Sequence, residues 1–235
     1  MPQLFCCGNF QRGLKLEILF KNKDFIVINK PVNLPSQSDM AGGDNALSET
    51  EKALAELSEK PALWLVHRLD RVVGGLLLFA RNKEAAALFS KAFAEGKVIK
   101  EYLAVVEGEA VGGEMRDYIY KDSLTSRAFV VNTLRRGAKE AVLNYSKKET
   151  VDGKTLVGVK LETGRFHQIR VQFSSRKMPL IGDKKYGSKD RGAQFPALFA
   201  SRLEFEFKEK KYSFSAIPET DTYPWCLFSK ESFGV

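Results

Sequence analysis

The chain is poor in metal-binding and redox side chains: its 235 residues include two histidines, His67 and His167, and three cysteines, Cys6, Cys7 and Cys226. Histidines so far apart would need unusual partners to build a zinc site. An odd cysteine count with two of them adjacent argues against a disulfide framework. No apolar run approaches the roughly 20 residues that cross a bilayer. The N-terminus, Met1-Pro-Gln-Leu-Phe-Cys6-Cys7, lacks the basic start and long apolar core of a secretory signal. A dinucleotide fingerprint and a P-loop are missing as well. These absences predict a cytoplasmic protein with reduced thiols, no metal, no cofactor and no membrane contact.

What is present is an ordinary globular composition, 44% hydrophobic and 28% charged, with a net charge of +8. The charge is uneven. Residues 160 to 191 hold nine Lys/Arg against three Asp/Glu, which is +6 in this window alone. Such a patch suits a polyanion, most commonly nucleic acid, although a solvated face with chance clustering gives the same count.

Local patterns divide the chain into short elements. Phe25 to Lys30 reads as a strand that stops at Pro31, followed by a Pro/Ser/Gly loop to Asn45. Asn45 to Glu59 has Leu47, Leu54 and Leu57 at helical spacing. Asn82 is placed to cap a helix through Glu95, with Gly96 at its end. Leu63–Val66, Leu76–Ala80 and Tyr102–Glu107 are strand-like, and Asp152-Gly153 joins the alternating segments Val142–Thr150 and Thr155–Glu162 into a hairpin. Leu203–Phe207 and Tyr212–Ala216 make a second hairpin across a Lys-Glu-Lys-Lys turn. Phe166, Ile169 and Phe173 predict a helix opened by the Gly164-Arg165 turn, with His167 and Arg170 together on its flank. Strands outnumber helices and hairpins mix with crossovers, which predicts an α+β fold with a mixed, largely antiparallel sheet.

His67-Arg68-Leu69-Asp70 sets one carboxylate in a turn behind a basic pair, ahead of Gly74-Gly75-Leu-Leu-Leu-Phe79-Ala80, a run short enough for a buried strand. A carboxylate fixed at a strand edge beside cations is poised to stay ionised and to act as nucleophile or base. A capping surface aspartate would look the same in isolation. Two later segments change the balance: Lys100-Glu101-Tyr102-Leu103-Ala104-Val105-Val106-Glu107-Gly108, and Thr163-Gly164-Arg165-Phe166-His167-Gln168-Ile169-Arg170-Val171 leading into Pro179-Leu-Ile-Gly182-Asp183-Lys-Lys-Tyr186-Gly187. In this order the three segments resemble the RluA-type pseudouridine synthases, and the resemblance runs from roughly Phe25 to Ala216. His67, where the small-subunit sister group has Gly, favours the RluA type.

The resemblance implies the pseudouridine synthase fold, a bent sheet with flanking helices and a central catalytic cleft. It implies one catalytic domain over 16–235, made of two subdomains sharing the sheet, after a tail at 1–15 and without the N-terminal S4-like RNA-binding module of many relatives. The activity it implies is isomerisation of specific uridines in ribosomal or transfer RNA by a monomer needing neither cofactor nor metal. Asp70 matches the catalytic aspartate, and attack on the sugar or proton removal from it both fit. Arg170 matches its arginine partner, whose planar fork can hold a carboxylate as lysine cannot; a helix-surface phosphate contact is the competing role. Tyr102 matches the tyrosine that stacks on the base and takes its C5 proton, against the alternative of a core aromatic. Arg68 is associated with filling the place of the flipped base. His67 is grouped with the RNA-facing residues as a brace for the turn. Arg165, His167, Lys30, Lys184 and Lys185 are expected at the rim as RNA contacts.

Departures from the pattern are Val73-Gly74-Gly75, which loses a hydroxyl, Lys30-Pro31-Val32-Asn33, and Phe166 where Thr is common. An RNA-binding protein that has lost catalysis is the alternative function, disfavoured by the joint presence of Asp70, Tyr102 and Arg170. A hydrolase with a metal on His67, Asp70 and His167 lacks further acidic ligands nearby.

Overall fold

The computed structural model describes residues 16–38 and 43–234. The expected tail, Cys6, Cys7 and Gly42 lie outside them. The described chain forms two compact units, residues 16–101 with 199–216 and residues 102–198 with 217–234.

In the first unit β1 (Glu17–Lys21) pairs antiparallel with β2 (Phe25–Lys30), and β2 with β4 (Gly74–Ala80). The short β3 (Trp64–Leu65) runs antiparallel to the far end of β4. β4 also takes a parallel neighbour, β10 (Leu198–Phe207), through Phe199 and Ala200. The β10–β11 (Lys210–Ser215) hairpin turns on Lys208-Glu209, both at positive φ (49° and 64°), so a tight hairpin forms there without Asn or Gly. Two helices flank these strands. α1 (Ala46–Glu56) starts at Asn45, which shares a capping box with Ser48. It buries Ala46, Thr50 and Leu54; of the three predicted leucines Leu54 is in the core, Leu47 half-buried and Leu57 exposed. α2 (Lys83–Ala94) is capped by Asn82, and Gly96 follows at φ 69°. The core is aromatic: Phe25 meets Phe89, Phe205 and Phe207 edge-on at 5.4–5.7 Å, above Val27, Leu76 and Leu78.

The second unit is built on antiparallel pairs: β6 (Gly112–Asp122) with β7 (Arg127–Val131) and β8 (Ala138–Val151), and β8 with β9 (Lys154–Leu161). β5 (Ile99–Glu107) lies beside β9. Asp152 and Gly153 both have positive φ, 48° and 68°, as a two-residue hairpin requires. β6 and β7 escaped the sequence reading because their alternation is broken by exposed aromatic and charged residues. α3 (Gln168–Ser175) starts two residues after Phe166, the first residue of the predicted apolar face, and is buried all round from Gln168 to Phe173. Phe166 therefore packs outside the helix, beside Ile119, Ala128, Val171 and Tyr186. The class is α+β with a mixed, mostly antiparallel sheet and few helices.

Candidate active site

The Asp70 turn is held from several sides within the first unit. Ser36 Oγ donates to the Leu69 carbonyl at 2.9 Å and accepts the Leu69 N–H at 3.0 Å. The Val73 N–H closes the turn on the Asp70 carbonyl at 3.0 Å, and Arg71 Nε donates to Asn33 Oδ1 at 3.2 Å. Gly75 is obligatory: its φ is 111°, and a Cβ there would lie 2.3 Å from the Ala200 carbonyl oxygen. Leu69 is buried, Asp70 half-buried and Arg68 exposed.

Lys30 corrects an expectation. It is not a rim contact: it is 0% exposed, and its ammonium donates to the carbonyls of Leu34 (2.7 Å), Pro31 (2.9 Å) and Arg71 (3.4 Å). It thus ties the loop after β2 to the residue after Asp70. Burial pushes its pKa down to about 7, against the opposing pull of the Asp70 carboxylate. Between about pH 7 and 10.5 the unfolded chain binds a proton at this lysine that the folded chain lacks, so the linked stability rises with pH across that window. Lys30→Met leaves three carbonyls without their donor and lowers the unfolding midpoint at every pH. It should also remove a rise of roughly 2 kcal/mol between about pH 7 and 9. Chemical denaturation of both proteins across that range measures it. Equal pH slopes would mean Lys30 stays charged.

His67 is also structural. Its Nε2 accepts the Leu78 N–H at 2.9 Å, which puts the proton on Nδ1, and its ring stacks on Phe93 at 4.6 Å. Burial, with Lys100 adding to it, pushes its pKa down to about 3. It is a neutral brace between the turn and β4, and not a cationic RNA contact.

In the second unit Arg170 is 4% exposed, which rules out a helix-surface phosphate contact. Its bidentate partner is Asp183, Nε to Oδ2 at 2.7 Å and Nη2 to Oδ1 at 2.8 Å. Asp183 thus engages the Nε–Nη2 edge of the guanidinium. The Arg170 guanidinium lies 5.1 Å from the centre of the Tyr186 ring. Tyr186 Oη accepts the Ala128 N–H at 2.8 Å and faces His167 Nδ1 at 2.8 Å. His167 is held at φ 53° just before α3. Gln168 fastens the same bend: its Oε1 accepts from Thr163 Oγ1 at 2.8 Å and from the Arg165 N–H at 2.9 Å.

Tyr102, on β5, is 9% exposed. Arg165 donates through Nε to the Glu140 carbonyl at 2.7 Å, Lys184 is exposed, and Lys185 donates to the Ser126 carbonyl. The basic window is less available than its count suggests, because Arg170 is paired internally and Arg176 meets Asp117 at 2.9 Å. Asp183, Tyr186 and Ser36 went unassigned in the sequence. The first two lie in the segment whose pattern is dominated by Lys184 and Lys185, and Ser36 carries no local signal at all.

A model of the RNA pseudouridylate synthase family matches residues 24–175. The chain belongs to that family. It is 31% identical over 209 residues to an uncharacterized RNA pseudouridine synthase of Haemophilus influenzae, covering 87% of this chain and 88% of the relative. It is 32% identical to the ribosomal large subunit pseudouridine synthase D of Xylella fastidiosa over 181 residues, 75% of this chain but 53% of that protein. For the synthase C of Rickettsia felis the identity is 34%, over 74% of this chain and 56% of the relative. The chain thus spans about half the length of these two ribosomal relatives. The solved structure of human RNA pseudouridylate synthase domain containing 4 superposes with a TM-score of 0.72 at 24% identity, covering 87% of this chain and 90% of that one. The fold is the pseudouridine synthase fold, and the enzyme class is that of an isomerase.

Proposed function

We propose that this pseudouridine synthase isomerises specific uridines in ribosomal or transfer RNA. Asp70 is the catalytic carboxylate, Arg170 the cation that keeps it ionised, and Tyr102 the aromatic platform. The two compact units serve as subdomains of one catalytic domain. The observation that carries this is the Asp70 turn, tied by Ser36 and Lys30 so that a half-buried carboxylate is presented on a rigid backbone. Binding alone needs no such carboxylate in a protein of net charge +8 that meets a polyanion.

In the reaction the bond from N1 to C1′ breaks, the base turns, and C5 bonds to C1′. C5 then loses its proton and N1 gains one, so substrate and product are isomers and no external donor enters. Asp70 acts at the sugar, and Tyr102 supports the loosened base and receives the C5 proton. Exposed Arg68 takes the space the uridine leaves. Pseudouridine mapping of ribosomal and transfer RNA from cells with and without this protein tests the proposal. One or a few uridines should change, and identical maps would refute it.

Tyr102→Phe should lower turnover by about 10²-fold or more while RNA affinity changes little, because the ring still stacks and only the proton acceptor is lost. Single-turnover rates beside equilibrium binding check this. Full activity in the Phe variant would reduce Tyr102 to a platform.

A further inference from the structure

The β6–β7 hairpin turns through Ser123-Leu124-Thr125-Ser126, and Leu124 at its tip is 99% exposed, more than any other large apolar side chain among the described residues. A single exposed leucine is ordinary on a protein surface. This one is fixed in place. Asp122 Oδ1 accepts the Leu124 N–H at 2.9 Å, and Asp122 Oδ2 accepts the Thr125 hydroxyl at 2.6 Å. Two further bonds clasp the other side of the turn: Lys185 donates through Nζ to the Ser126 carbonyl, and Arg127 donates to the Lys185 carbonyl. The setting is cationic. Residues 118–139 hold five Lys/Arg against one acidic residue, Asp122, whose two oxygens are both engaged by the turn. Lys121, at the base of the turn, is exposed with its ammonium 4.7 Å from the centre of the Phe166 ring, and Lys184 is exposed beside Lys185.

A rigid apolar tip among cations has the chemistry of a wedge. Leucine is one of the side chains that enter between stacked bases and part them, while lysines hold the phosphates on either side. We propose that Leu124 inserts between two stacked bases of the RNA substrate, with Lys121 and Lys184 on the flanking phosphates. The proposal rests on RNA being the substrate. It adds a contact to nucleotides other than the isomerised uridine. A polar tip would gain nothing by leaving water for the stack, whereas leucine buries its whole side chain there. An enzyme that must extrude a base also benefits from a stack already parted. The clasp ties the tip to the chemistry, since the turn that holds Ser126 and Arg127 also supplies Asp183 and Tyr186, which contact Arg170.

The test uses the full chain and an adenine-rich oligoribonucleotide of about 12 nucleotides, a length suited to one groove, with 2-aminopurine in place of single adenines along it. The fluorescence of 2-aminopurine is quenched by stacking, so a wedge beside it raises the signal. At one or two positions of the probe the wild type should give this rise on binding. Leu124→Ser should lose the rise while affinity stays within about tenfold, because the phosphate contacts that dominate affinity remain. Leu124→Met, still an apolar wedge, should restore it. The side chain is fully exposed, so neither change threatens the fold. Lys184→Ala should flatten the slope of log K against log salt by about 0.7, the share of one phosphate contact on a single strand. An equal rise in Leu124→Ser and wild type, or no rise at any position with the probe saturated, would overturn the proposal. So would binding of the wild type to phosphatidylglycerol vesicles that Leu124→Ser abolishes without changing the RNA signal, which would make the tip a membrane contact. If the wild type forms no pseudouridine in any RNA, the functional proposal fails, while the oligonucleotide signal still decides the wedge.

Discussion

Asp70→Asn should abolish pseudouridine formation, a loss of at least roughly 10²–10⁴-fold, while RNA binding stays within a few-fold of wild type. The amide has nearly the carboxylate's shape and can keep its place in a turn fixed by backbone contacts to Ser36, Lys30 and Val73. It can neither attack nor take a proton. Removing one negative charge from a basic protein gives RNA no reason to leave. Single-turnover assays on the mapped RNA, beside filter binding, measure both quantities. Substantial turnover in the Asn variant, with deamidation excluded by mass spectrometry, would end the assignment.

Arg170→Lys should be almost as damaging although the charge is kept. The planar fork is what Asp183 holds, through two bonds of 2.7 and 2.8 Å, and an ammonium cannot satisfy both oxygens while offering a third donor in a fixed direction. Asp183→Asn attacks the same unit from the other side. It leaves a buried guanidinium with no countercharge from Asp183, which should destabilise the fold by about 3–5 kcal/mol. Where that variant remains folded, turnover should fall further than RNA affinity. Denaturation and single-turnover measurements on the two variants separate stability from chemistry. Near-normal rates in Arg170→Lys would show that the fork geometry is dispensable, and with it the role given to Arg170.

The legible parts of the site were those with a local cause. The tight turn at His67-Arg68-Leu69-Asp70 and the buried run after it follow from a few adjacent residues, whereas the need for glycine at position 75 comes from the approach of Ala200. Lys30 shows the limit. As a lysine before proline it looks like surface charge, and only the chain returning at Leu34 and Arg71 supplies the carbonyls that let an ammonium be buried. Arg170 shows it again: a helical pattern suggested a flank position, but Asp183, thirteen residues on, meets it because the chain turns at Gly182.

By itself the sequence determined the elements whose energetics are local. These are the caps at Asn45 and Asn82, the Asp152-Gly153 hairpin, the buried β4 run, and the three ordered motifs that mark the family. Only the tertiary structure decided which charges are structural. Lys30, His67, Arg170 and Asp183 are defined by partners brought from elsewhere in the chain. A polar side chain's cost or benefit depends on whether burial comes with hydrogen-bond partners, and those partners are assembled only when the chain packs.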